Sequence, residues 1–313
     1  MSSPVSGPPV ALVAGATRGA GRALAVELGR AGFHVYATGR SSRAGGPSEI
    51  GRPETIEETG ELVEAAGGSA SAVVVDHEDA EAVASLVGRV EAEHGRLDVL
   101  VNDVFGGDRY AQWDTPLWEH DLAGGARMLR MGVWTHLVTA HHALPLLLRT
   151  AAATGRDGLL VEMTDGTAEF NAAYRESVGF YYDLVKAGVG RIVLGLTHEL
   201  RDHPVTALAV TPGWLRSEQM LEGFKVTEAT WRDALVQVPG FAISESPTYV
   251  ARGVAALAGD AAHERFAGRT LTSYDLATTY GLTDTDGSRP DCWGYLARHG
   301  LSEQSGAGVA EFR

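Results

Sequence analysis

One cysteine, Cys292, stands in 313 residues, so no intrachain disulfide can form and a reducing compartment is the natural setting. Long apolar runs are missing too, and nothing approaches the roughly 20 residues that a membrane-spanning helix needs. Positive charge is scarce: 26 Lys and Arg against 40 Asp and Glu leave a formal net charge of −14. That balance argues against nucleic acid and anionic membranes as partners, and predicts a soluble surface. Residues 1–9 carry neither the basic nor the apolar region of a signal peptide, so a short flexible leader and a cytoplasmic location are expected. No cysteine–histidine cluster has zinc spacing, and no metal is expected. His141 and His142, adjacent on a helical pattern, point about 100° apart and cannot converge on one ion.

Core-forming residues are plentiful, at 44% hydrophobic, with 39 glycines to shape turns. Apolar, β-branched runs at 10–14, 34–38, 72–75, 97–101, 159–163, 205–210 and 270–273 predict strands. Helical patterns separate them at 22–31, 54–66, 78–94, 180–201 and 249–258, with a long helix that ends near Pro145. Such alternation predicts an α/β fold: one doubly wound Rossmann-type domain over residues 10–313, with a mostly parallel seven-stranded sheet. Two irregular stretches, 105–118 and 214–247, follow the carboxyl ends of strands four and six, where open α/β sheets bind ligands. They hold Trp113, Trp118, Trp214, Phe224 and Trp231, which suggests an aromatic substrate pocket with 214–247 as a movable lid.

Tyr182 and Lys186 are the most telling pair. Four residues apart on a helix, they share a face, and a nearby ammonium lowers a phenol's pKa toward use as a proton donor near neutral pH. Far upstream, right after the first strand, stands Gly15-Ala16-Thr17-Arg18-Gly19-Ala20-Gly21. Glycines 15, 19 and 21 permit a tight turn and a close backbone approach to a pyrophosphate at the helix start. NAD sites usually offer a carboxylate after the second strand, and NADP sites an arginine. This chain has Thr38-Gly39-Arg40-Ser41-Ser42-Arg43 there, without an acid, and Arg18 lies within the turn. Two guanidinium groups suited to a phosphate predict NADP rather than NAD.

These residues, in this order, resemble the short-chain dehydrogenase/reductase family over nearly the whole chain, and the ending 276–287 resembles its dehydrogenase/reductase member 1-like branch. The resemblance implies a nicotinamide cofactor held by Gly15, Thr17, Arg18, Gly19, Ala20, Gly21, Arg40 and Ser41, with Asp76 and His77 at the adenine. It places Asn102 at the asparagine motif after strand four, and Pro212, Gly213, Leu215 and Ser217 at the nicotinamide and phosphates. Tyr182 and Lys186 become the proton donor and its partner, Lys186 also holding ribose. The two long helices, about 125–148 and 180–201, would pair across a two-fold axis into a homodimer or homotetramer.

Two positions depart from the family. Asp165 stands where a substrate-binding serine is usual, preceded by Thr164, and Gly132 stands where an asparagine usually holds a relay water. An ionised Asp165 would oppose charge building on a carbonyl oxygen. It could act as a neutral donor, stabilise a cationic acceptor such as an iminium, or cap a turn while Thr164 donates. The leading expectation is an NADPH-dependent reductase acting on a carbonyl or imine of a bulky, partly apolar small molecule. The rivals are a non-redox cyclase or isomerase on the same scaffold, raised by the lost serine and asparagine, and a nucleotide-sensing protein without turnover.

Overall fold

The β-branched, apolar runs form one sheet of seven strands, in the order β3-β2-β1-β4-β5-β6-β7, and every pairing is parallel. The strands are β1 Val10–Ala14, β2 His34–Gly39, β3 Ser69–Val74, β4 Val99–Asn102, β5 Gly158–Met163, β6 Val205–Thr211 and β7 Thr270–Thr272. The computed structural model describes residues 7–300 and 305–313, so most of the expected leader (1–6) lies outside the described residues. β1, β4, β5 and β6 are buried along their whole length, which is why they are near-continuous apolar runs rather than alternating ones.

Helices α1 Gly19–Arg30, α2 Ile56–Ala65, α9 Pro247–Gly259 and α10 Ser273–Tyr280 cover one face, through Leu24, Leu28, Ile56, Val63, Val250, Val254 and Leu276. Helices α3 Ala80–His94, α5 Thr135–Thr154 and α7 Phe180–Leu200 cover the other, through Val83, Leu86, Val90, Leu146, Leu147 and Leu200. Sequence order reverses between β1 and β4, and the crevice at their carboxyl ends is where such sheets take ligands.

Some boundaries differ from expectation. The helix expected to end near Pro145 runs on to Thr154 and stops at Gly155, whose φ of 68° makes a left-handed cap. Proline removes one backbone donor, but Leu146, Leu147, Thr150 and Ala151 continue the buried stripe past it. Upstream, α4 Leu122–Leu129 joins α5 through a π-helical turn, Arg130–Trp134.

The excursion after β6 contains α8 Glu218–Gly223 and two 3-10 segments, Trp231–Val236 and Pro239–Ile243. Its base is stapled. The fully buried Arg216 side chain bonds Glu228 (2.7 Å), Asp284 (3.1 Å) and the Ser244 carbonyl (2.7 Å), and its guanidinium lies 4.5 Å from the Trp231 ring. Leu215 also pairs with Glu245 as an isolated parallel bridge. These buried contacts fix the base of 214–247 to the body of the domain. Sequence reading assigned no element beyond β7; there α10 and α11 Cys292–His299 form, and α11 packs on Ile243 and Val309 and closes the cavity from outside.

Candidate active site

A cavity of about 1030 Å³ opens at the carboxyl ends of the strands. Its dinucleotide end is built on Gly15, whose φ of +88° suits glycine and whose Cβ would lie 2.5 Å from the Asp103 carbonyl. A Cβ on Gly21 would lie 2.3 Å from the Gly15 carbonyl, so this glycine serves the packing of α1 on the turn and does not line the cavity. Thr17, Arg18, Gly19 and Ala20 do line it. The Gly19 N–H, at the positive end of α1, donates to Glu218 Oε2 at 2.9 Å: a carboxylate from α8 sits where an anion is favoured.

The two arginines behave differently. Among the described residues the Arg18 side chain makes no hydrogen bond or ion pair, and burial lowers its pKa. Arg40 is committed: Glu49 lies at 3.0 Å, and Asp76 and Glu78 at 3.8 Å. The expectation that no acid reaches Arg40 is thus corrected. The acids come from the loop before α2 and from the end of β3, outside the sequence neighbourhood where a carboxylate was sought. Arg127 also holds Glu49 at 2.6 Å, and these contacts, Arg127 first, bring the Glu49 carboxyl down to about 2.

Ser41, Asp76 and His77 border the cavity. The buried His77 ring bonds Thr38 and Thr139, both at 2.8 Å, and burial lowers its pKa to about 4, so the neutral ring ties β2 to α5. Asn102 is fully buried behind the cavity, donating to Glu162 at 2.9 Å, and its neighbour Asp103 takes the cavity-facing place. Pro212, Gly213, Leu215 and Ser217 all line the cavity. The Ser217 side chain caps α8 by accepting from Met220 N.

At the reaction end, α7 carries Tyr182 and Lys186 to the same cavity. The Tyr182 hydroxyl donates to Asp165 Oδ2 at 3.1 Å, and the ring packs against Phe105 (5.6 Å) and Trp113 (5.5 Å). Lys186 Nζ sits 3.7 Å from the Phe105 ring centroid, a cation–π contact. The expected direction of the phenol's shift is reversed: burial, then the Asp165 carboxylate, raise the Tyr182 pKa well above its ordinary value. Burial also lowers the Lys186 pKa. The reason is geometric, since the nearest ionisable contact of the phenol oxygen is an acid and not the lysine.

Asp165 is not a turn cap. Gly166 N–H donates to Thr211 Oγ1, while the Asp165 side chain accepts from Tyr182 and from Arg175 Nη1 (3.3 Å). With a guanidinium and a phenol both donating to it, Asp165 serves as an acceptor, against the neutral-donor expectation. Thr164 borders the cavity, but its hydroxyl donates to the Lys186 carbonyl at 2.8 Å, which directs its proton away from a substrate.

Sequence reasoning missed three features. Arg175, 3% exposed, bridges Asp165 and Asp183 (3.2 Å) and lines the cavity; it lies in an irregular loop that offers no periodicity to read. Beneath the site, His136 bonds Glu162 at 2.5 Å, and both are buried. Burial opposes charge on His136, but the Glu162 carboxylate outweighs it and raises the imidazole pKa. The signal for this pair was Glu162 itself, an acid inside a central strand. The third is α11, whose Cys292, Trp293 and Leu296 reach the cavity wall. Of the five aromatics expected at a pocket, only Trp113 and Trp214 line this cavity. Trp231 and Phe224 pack inside the excursion, and Trp118 is 84% exposed.

A parallel doubly wound sheet, a glycine turn opening a cavity, and a Tyr-x-x-x-Lys helix at its far end define a nicotinamide-dependent oxidoreductase class. The model of the short chain dehydrogenase family matches residues 9–226, and the chain belongs to that family. It is 32% identical to "Dehydrogenase/reductase SDR family member 1" of Mus musculus, over 98% of this chain and 92% of that protein. Its identity to the Homo sapiens protein of the same name is 31%, over 92% and 86%. Among solved structures, a putative dehydrogenase from Xanthomonas campestris superposes with a TM-score of 0.71 at 23% identity, covering 93% of this chain and 96% of that one, and shows the fold. Among the described residues no helix is long and apolar enough to cross a membrane.

Proposed function

We propose that the protein is an NADPH-dependent oxidoreductase that reduces a carbonyl or imine on a bulky, partly apolar small molecule. One observation carries this reading: Tyr182 and Lys186 stand at one end of the same cavity whose other end is the turn Gly15–Gly21. The bound cofactor would supply the hydride. Tyr182 would give the proton, and Lys186 would hold the ribose. Phe105, Trp113, Trp214, Trp293, Met163 and Leu296 give the remaining space an apolar, aromatic wall. Preference for the 2′-phosphate rests chiefly on Arg18, the unpaired guanidinium, with Arg40 available only if it exchanges carboxylates for phosphate. An acid at the phenol, rather than a hydroxyl, favours an imine that carries positive charge over a neutral ketone.

The test is loss of NADPH absorbance with a panel of ketones, quinones and imines, alongside titrations of NADPH and NADH. No turnover with any of them would overturn the reading, and equal affinities would remove the NADPH preference. A homodimer or tetramer through α5 and α7 is part of the same proposal, supported by the half-exposed Trp134, Leu137, Leu184 and Leu194 on that side. Light scattering at micromolar concentration should return at least twice the 33.0 kDa chain mass.

A further inference from the structure

A phenol that gives its proton to a substrate must recover one, and the surroundings of Tyr182 leave few routes. On the lysine side, Nζ rests on the Phe105 ring. Beyond it the π-helical turn presents Gly132, where even a Cβ would meet Val185 Cγ1 at 2.3 Å and Phe105 at 3.1 Å. No side chain fits there to hold a water. On the other side, Asp165 touches the phenol oxygen directly and its side chain is 33% exposed, so it reaches both the reacting atom and solvent. Behind it stands Arg175, 3% exposed, fixed by Asp183 through both its Nε and its backbone N–H, each at 3.2 Å. The ion pair between Arg175 and Asp165 therefore has one rigid, buried partner, and it holds the carboxylate against the phenol.

We propose that Asp165 is the proton-exchange partner of Tyr182, and that Arg175 is the positioning residue that holds it there. The proposal rests on the reductase reading. As the reduced nicotinamide delivers a hydride with its electron pair, the Tyr182 O–H bond breaks and its proton goes to the substrate oxygen or nitrogen. The Asp165 carboxylate takes a proton from water and hands it to the Tyr182 oxygen, which re-forms its O–H bond and leaves the carboxylate as it began. The net transfer is one hydride from the cofactor and one proton from solvent. In the oxidation direction each step reverses.

Asp165→Asn keeps the size of the side chain and removes its capacity to carry a proton. It should lower kcat by about tenfold or more, with KM little changed, since acid–base groups typically contribute about 10²–10⁴-fold. Acetate or formate should restore the rate in proportion to concentration, and should leave the parent unaffected. Arg175→Leu should lower kcat in the same way and steepen its pH profile, while Arg175→Lys should recover part of the loss.

A second measurement needs no turnover: ultraviolet titration of the Tyr182 phenol in the cofactor-free protein, taken as the difference from Tyr182→Phe. The charged groups acting on this phenol are Asp165, Asp108 and Arg175. Asp165→Asn should move the titration to lower pH. An unmoved titration, an unaltered kcat, or a loss that no small acid restores would each overturn the proposal. Were the parent to reduce nothing in the panel, the reductase reading would fail on its own, and the phenol titration would still decide the contact.

Discussion

The two ends of the cavity use the same device to opposite effect. At both, a carboxylate of the protein covers a cationic or proton-donating group. At the dinucleotide end the acids are partly exposed: Glu218 on the α1 terminus is 32% exposed, and Glu49 on Arg40 is 30% exposed. Solvent screens such partly exposed pairs more than buried ones, so a phosphate can compete for these positions. At the reaction end Asp165 is backed by a buried guanidinium with a second acid behind it, and taking one partner from such a pair leaves a charge uncompensated. The lesson is that burial of the partner, more than the acid itself, separates a placeholder from a fixed part of the machinery.

The largest expected break in this comparison is Tyr182→Phe, which should lower turnover by about 10²–10⁴-fold and leave cofactor titration nearly unchanged. Lys186→Met should damage both, because its ammonium lies beside the phenol ring and would also hold the ribose. Near-parent activity in Tyr182→Phe would move the chemistry away from the phenol. Next in size is Arg216→Leu, which strands Asp284 in the core of the excursion and should cost about 3–5 kcal/mol of stability. Thermal unfolding checks it. A small loss would mean that the 214–247 segment is looser than its buried clamp indicates.

A gentler substitution sharpens the contrast at the dinucleotide end. Glu218→Gln removes the charge on the Gly19 N–H and should tighten NADPH by a few-fold, consistent with about 0.3–1 kcal/mol for a charge at an exposed helix terminus. Arg18→Ala should weaken NADPH more than Arg40→Ala does, because only Arg40 is already neutralised. Fluorescence titration of the four proteins decides both points. A Glu218→Gln protein with unchanged affinity would show that the carboxylate does not compete with the cofactor.

Much of the fold was legible because parallel strands buried on both faces leave continuous apolar runs, and glycines at 15 and 21 answer local steric demands. Tyr182 and Lys186 were legible from helical spacing read together with the glycine turn far upstream. What spacing could not convey was which charges meet across the chain. Glu49 reaches Arg40, Glu218 reaches Gly19, and Arg175 reaches Asp165, each from a loop or short helix whose course periodicity does not encode. The expected shift of the tyrosine was reversed first by burial and then by Asp165, neither of which helical spacing conveys. The closure by α11 stayed hidden for a related reason: eight residues, Cys292–His299, form a helix by packing on the excursion rather than by a pattern of their own.

A pH-dependent effect concerns Glu245, which backs the Pro212–Gly213 turn from the protein side and accepts from Ser273 at 2.6 Å. Burial pushes its carboxyl up to about 8, against an ordinary value near 4. Between those values the folded protein holds a proton that the unfolded chain has released, so stability falls as pH rises from about 4 to about 8. Above that window Glu245 is ionised in both states and the loss is complete. Glu245→Gln cannot ionise, so its melting temperature should fall less than that of the parent between pH 5 and pH 8, by about 2–4 °C for each kcal/mol removed. Parallel melting curves for parent and variant across that range would show that the acid behind the turn is charged at low pH after all.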